Sequence, residues 1–165
     1  MQIKARKVAK DNGAYLLVVV ALIVIGADQF TKAIIRRNLS IGETFSIIRG
    51  FVQLKGVENP GGAFGLFPGS QIFLLAVSII VVIVAVIYWM LNRPNEPIVT
   101  MSFGLIVGGA IGNMIDRFLF NNVTDFIDFR YWPVFNIADL AIVIGMILFL
   151  NAYLKDEKRA RDRSK

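Results

Sequence analysis

The sequence predicts an all-α polytopic membrane protein built on four membrane-spanning helices. Three observations predict it. Hydrophobic residues make up 56% of the 165 residues, a count that leaves Gly out, whereas soluble proteins reach about 45–50% with Gly included. The mean hydropathy is +0.62. The apolar residues also fall into four stretches of about twenty, the length a helix needs to cross about 30 Å of hydrocarbon. A soluble domain of this size leaves too much area in water to hide that surplus.

The first stretch runs from about 14 to 35. Its basic leader resembles a signal peptide, but Ile25 is large where a cleavage site needs a small residue, and apolar character resumes after Lys32. It reads as an uncleaved span. The second, about 72 to 91, carries no charge. The third, about 98 to 115, holds Gly104, Gly108, Gly109 and Gly112, spaced for close helix packing. The fourth runs from about 134 to 154. Each must satisfy its own backbone in lipid, so each is expected to be helical.

The connections differ in kind. The turn 92–97 (NRPNEP) is tight and holds two prolines. The loop 36–71 includes ETFSIIRGFVQLKGVEN, whose aromatic and β-branched residues predict short strands. It closes with the turn-rich NPGGAFGLFPG. The loop 116–133 carries Phe126, Phe129, Tyr131 and Trp132, suited to an interfacial belt. No internal repeat or composition shift marks a second domain, so residues 1–165 read as a single membrane-embedded domain.

Four spans put both tails (1–13 and 155–165) and the 92–97 turn on one side. That side holds eleven of the eighteen Lys and Arg, which makes it cytoplasmic by the positive-inside rule. Arg36 and Arg37 fall on the other side and run mildly against it. The net charge of +6 therefore fits headgroups and topology rather than nucleic acid, which needs a folded basic face. The chain has no Cys and no His. Disulfides, Ser-His-Asp or Cys-His catalysis and the usual zinc sites are thereby excluded.

Ionisable groups in a membrane are costly, so their placement is informative. Asp28 and Lys32 lie near the outer end of the first span, Asn113, Asp116 and Arg117 at that of the third, and Asn136 and Asp139 near the outer start of the fourth. The outer loops add Asn59, Asp125 and Asp128. The inner halves of all four spans are nearly free of charge. Each group also has a bland role. Asp28 and Lys32 are spaced as an intrahelical pair. Asp116 or Arg117 would serve as interface anchors, Asp128 as a solvated loop carboxylate, and Asn136 as a helix cap. Asp139 resists such a reading, because it sits in the apolar run FNIADLAIVIG with no basic residue at helical spacing. Two carboxylates held close share a proton, and the pair can activate water and polarise a carbonyl without His, Cys or metal. Spacing leaves the partner of Asp139 open among Asp125, Asp116 and Asp28.

Five blocks in order, DQFTK (28–32), ENPGGAF (58–64), GNMIDR (112–117), VTDF (123–126) and FNIAD (135–139), make the chain resemble the bacterial lipoprotein signal peptidases (signal peptidase II). The resemblance implies an intramembrane aspartyl endopeptidase that removes the signal peptide of diacylglyceryl-modified prolipoproteins, cutting before the lipidated cysteine. It implies Asp125 and Asp139 as the catalytic pair. Asn59, Gly61, Asn113, Arg117 and Asn136 would bind substrate or support the pair, with Asp28, Lys32 and Asp116 as structural polar contacts. It further implies a small β-rich periplasmic cradle, a flap loop, no metal or cofactor, and a monomer in the bacterial inner membrane. Its partners would be the lipidated prolipoprotein and membrane lipid, with no nucleic acid. Gly62, Thr124 and Leu140 depart from the family pattern without removing a chemical group. A proton-coupled transporter and an inactive homologue are the rival readings.

Overall fold

The computed structural model describes residues 2–60, 71–94 and 96–163, with side chains from residue 12 to residue 162. Four long helices carry the chain: α1 (Gln2–Asn38), α2 (Gln71–Asn92), α3 (Pro97–Phe120) and α4 (Ile137–Arg163). Each contains a window long and apolar enough to cross a membrane. Three short strands, β1 (Thr44–Ile48), β2 (Val52–Asn59) and β3 (Val123–Asp128), form one antiparallel sheet in the order β1-β2-β3.

The central helix is α3. Its spanning window is 61% buried against 6% for α2, and α1, α2 and α4 all pack on it. Glycine makes this possible. A Cβ added at Gly104, Gly108 or Gly112 would lie 2.8 Å from Val20 Cβ, 2.8 Å from Ala21 O or 2.7 Å from Asp28 Oδ2. These three residues, each four apart, form one stripe on which α1 lies. Gly109 faces Ala138 O and Ile142 of α4 instead. Proline at the first helical position starts α3, and Asn121 in the left-handed region (φ 57°) ends it, its N–H bonding to Arg117 O. At the other end of the bundle, Tyr88, Phe103, Phe149 and Tyr153 stack in one aromatic cluster joining α2, α3 and α4.

The sheet is built around a β-bulge. Lys55 and Gly56 of β2 both fall opposite Phe126, because the register slips between Leu54↔Ile127 and Val57↔Asp125. Gly56 fits there for lack of a side chain: a Cβ would stand 2.6 Å from Ser40 O. After β3 the chain turns back, and Phe135 pairs with Ile127 through two bonds of 2.8 and 3.1 Å. That bridge delivers Asn136 and the start of α4 beside β3.

Four spans and strands in the loop 36–71 match the sequence reading. The bounds are corrected in three places. Helix α1 extends past both predicted ends and α3 continues to Phe120, so Asp116 and Arg117 are helical residues rather than loop ones. Helix α4 starts at Ile137, because Phe135 is used in the bridge to β3. Strand β3 was not expected. Its segment read as an aromatic loop, yet Phe126 is buried, and only Tyr131 and Trp132 of the four aromatics are strongly exposed. The flap segment 61–70, with Gly61 and Gly62, lies outside the described residues.

Candidate active site

The start of α4 is closed by a reciprocal cap. Asn136 Oδ1 accepts the N–H of Asp139 at 2.9 Å, and Asp139 Oδ2 accepts the N–H of Asn136 at 3.4 Å. This is the geometry of a capping box, with Asn and Asp in place of the usual Ser/Thr and Glu. The expected cap at Asn136 is present, and it does more than end a helix. Its amide Nδ2 donates 2.7 Å to Asp125 Oδ1 and 3.1 Å to Asn113 Oδ1. One fully buried asparagine thus touches both candidate carboxylates and fixes their separation.

Asp125 projects from β3. Its second oxygen accepts 2.8 Å from Asn59 Nδ2 at the end of β2. Asp139 Oδ1 accepts 2.7 Å from Asn113 Nδ2 on α3. Both carboxylates line one cavity of about 560 Å³, shared with Asn59, Asn113 and Arg117 and walled by Val57, Val123, Phe135, Ile142 and Val143. Burial, and then the neighbouring Asp139, push the Asp125 carboxyl up to about 7, although the amides of Asn59 and Asn136 oppose this. Of the three partners the sequence left open for Asp139, the structure places Asp125 in the same cavity. Asp28 and Asp116 belong to a different cluster.

That cluster is a buried ion network. Lys32 Nζ lies 2.8 Å from Asp28 Oδ2 and 3.4 Å from Asp116 Oδ2, with all three side chains fully buried. It also donates 2.9 Å to Asn113 Oδ1. Asp28 Oδ1 accepts the N–H of Ala138 at 3.0 Å, a second anchor on the first turn of α4. Gln29 donates to Asp28, Asp116 and the carbonyl of Gly112. Burying ions costs several kcal/mol each, and the arrangement holds only because each is multiply partnered. The network also settles an orientation. Lys32 and Asn136 both donate to Asn113 Oδ1, so the Asn113 amide nitrogen must face Asp139.

Asp28 and Lys32 therefore do form the intrahelical pair the spacing allowed, but inside a wider network. Arg117 Nη1 donates 3.2 Å to Ser78 Oγ of α2, and its buried Nε has no hydrogen-bond partner among the described residues. Asp128 is corrected: it is buried rather than solvated, accepting from Gln53 Nε2 and the Arg130 N–H, both at 2.6 Å. Sequence reasoning passed over Gln29, Ser78 and Thr124 as contacts. It read Arg36 only as a topological exception, whereas Arg36 Nη1 lies 3.3 Å from buried Asp116 Oδ1. Among the described residues, no cluster of three or more acidic side chains has metal-holding geometry.

The chain is similar to known proteins over most of its length. Residues 20–155 match the family model described as "Signal peptidase (SPase) II". A lipoprotein signal peptidase of Halothermothrix orenii is 40% identical over 147 residues, covering 89% of this chain and 100% of that one. One of Moorella thermoacetica is 42% identical over 128 residues, covering 78% and 85%. A solved bacterial membrane enzyme superposes with a TM-score of 0.83 at 35% identity, over 87% of this chain and 90% of its own.

Proposed function

The chain belongs to the signal peptidase (SPase) II family of peptide-bond hydrolases, and on that premise we propose an intramembrane aspartyl endopeptidase. It removes the signal peptide from diacylglyceryl-modified prolipoproteins and cuts before the lipidated cysteine. The observation that carries the reading is the cavity holding Asp125 and Asp139, bridged by Asn136.

The two acids divide the work. Asp139 sits in the first turn of α4, at the positive end of the helix dipole. Asp125 lies on a strand, and its carboxyl is pushed up to about 7. Asp139 is the base and Asp125 holds the proton. Asp139 takes a proton from a water as the water oxygen bonds to the scissile carbonyl carbon, while Asp125 donates to the carbonyl oxygen. The tetrahedral intermediate then collapses: the C–N bond breaks, the amine leaves with the proton taken by Asp139, and Asp125 recovers its own. The Nε of Arg117, without a partner among the described residues, leaves a donor for substrate backbone. Apolar walls at Ile142 and Val143 suit lateral entry of acyl chains.

Orientation follows the same logic. Both termini face the cytoplasm of the inner membrane and the site lies near the periplasmic face. Supporting this, Arg159 pairs with Glu96 beside the 92–97 turn and Gly13 of α1 lies against Trp89 near the end of α2, while the polar network lies near the other ends of α1 and α3. The protein acts as a monomeric, single-domain unit, with a lipidated prolipoprotein and surrounding lipid as its partners and no nucleic acid.

The test is cleavage by the purified protein, in lipid, of one prolipoprotein prepared with and without diacylglycerol on its cysteine. The lipidated form should be cut and the bare form cut poorly. Equal turnover of both would overturn the lipid requirement, and cleavage of neither would overturn the peptidase reading.

A further inference from the structure

The catalytic reading leaves Arg36 and Thr124 without a task, yet the structure ties them together. Arg36 Nη1, near the end of α1, donates 2.9 Å to Thr124 Oγ1. The same nitrogen lies 3.3 Å from Asp116 Oδ1, and the guanidinium sits over the Phe120 ring, 4.4 Å from its centroid. The backbone N–H of Thr124 donates 2.9 Å to the other oxygen of Asp116. Thr124 is thus held at its backbone and at its side chain by groups on α1 and α3. Side chains alternate along a strand, so Thr124 faces this anchor while the next residue, Asp125, faces the cavity.

We infer that Arg36, acting through Thr124, is a positioning device for Asp125. This rests on the reading of Asp125 as catalytic. One edge of β3 is paired with β2. Among the described residues, its other edge has no complete strand beside it. Phe135 covers Phe126 and Ile127, and at Thr124 the carboxylate of Asp116 stands in for the missing neighbour. Asp125 therefore lies between two anchors on that edge, and only the Thr124 anchor includes a side-chain bond. The hydroxyl is essential to that bond, because a valine of the same shape offers Arg36 no acceptor. Arg36 also has reason to be there: it supplies positive charge to a carboxylate whose side chain is fully buried, while its own is 29% exposed. Its place on the outer side, against the positive-inside pattern, is explained by that partner.

The experiment uses the full chain in lipid and the lipidated prolipoprotein. Thr124→Val keeps the β-branched shape and removes the acceptor, and Arg36→Met removes the donor. Each should lower kcat about tenfold with KM within about twofold, since small misplacements of a reacting group are expensive. Thr124→Ser should restore kcat to within about twofold of the parent, because it keeps the acceptor. The double variant should be no slower than the slower single, as two ends of one bond require. Thermal unfolding of Thr124→Val, followed in detergent, should change little beside the loss in kcat, whereas Arg36→Met also lowers Tm because it takes a counter-charge from buried Asp116. Parental kcat in Thr124→Val, a loss confined to KM, or a double variant as slow as the product of the singles would each overturn the proposal. The Asp125→Asn variant keeps the two readings apart. Full cleavage by it removes the catalytic premise itself, whereas an inactive Asp125→Asn beside a fully active Thr124→Val refutes only the clip.

Discussion

Asp125→Asn separates what the carboxylate does for catalysis from what it costs the fold. The substitution keeps the shape of the side chain and removes its titration. Asn136 is locked as a donor toward position 125, because its Oδ1 is occupied by the Asp139 N–H. The new carbonyl must therefore face Asn136, and the new amide faces Asn59, which turns its own oxygen inward to accept. The acid itself is expensive at neutral pH. Burial, with Asp139 beside it, raises its pKa from 3.8 to about 7. The folded state then binds its proton more tightly than the unfolded state, so the stability this proton lends is complete below about 3.8 and is lost as pH rises through about 7. At about 1.4 kcal/mol per pH unit the displacement amounts to about 4 kcal/mol at pH 8. The assay is thermal unfolding of parent and variant in the same detergent between pH 5 and pH 8, alongside cleavage of a lipidated prolipoprotein. The variant should be inactive, and its Tm should gain on the parent as pH rises. A Tm difference that stays flat over that range would refute the raised pKa. Full cleavage would remove Asp125 from the chemistry.

Two further substitutions probe the frame around the pair. Asn136→Ala removes the helix cap, for about 1 kcal/mol, and the bridge between the carboxylates. Cleavage should fall by about 100-fold or more, read as kcat, and a change under threefold would show that Asn136 serves only the helix. Lys32→Met strips the cation from between Asp28 and Asp116. Leaving buried charge uncompensated should cost about 3–5 kcal/mol, seen as a lowered Tm in detergent; an unchanged Tm would mean the network is not ionised as drawn.

The spans were legible because hydropathy over twenty residues is a strong signal, and Asp139 because a lone carboxylate in an apolar run has no cheap explanation. Strand β3 was not. The segment VTDFID shows no clean alternation, since nearly all of it is buried on both faces, and period-two patterning requires one wet face. Asp128 was misread for the same reason: a carboxylate between aromatics in a loop looks solvated until Gln53, 75 residues away, is folded against it. Arg36 resembled an exception to a topology rule because its partner Asp116 lies 80 residues along the chain. The choice of Asp125 over Asp116 and Asp28 is also tertiary. It depends on the bulge at Lys55 and Gly56 and on the Phe135 bridge, and neither has a local sequence signal.

Charge balance gives an independent reason for one shared proton. The outer end of the bundle holds two carboxylates that do not face the cavity, Asp28 and Asp116, and two cations that pair with them, Lys32 and Arg36. These four cancel. Of the charged groups that line the cavity, Glu58 is exposed to water; what remains is Arg117, within electrostatic reach of Asp125 and Asp139, and the pair itself. If both acids ionise, the cluster carries a net negative charge in a setting that solvates it poorly. If both are neutral, Arg117 is left unbalanced. Only a pair with a single negative charge brings these groups to zero, and that is the state the proposed chemistry requires, with one acid as base and the other as donor. Of the cations that look structural, Lys32 also bears on the pair, opposing in small part the effect of burial on Asp125. Because Lys32 reaches the pair through Asn113, which bonds Asp139 directly, its loss is felt in both the fold and the chemistry.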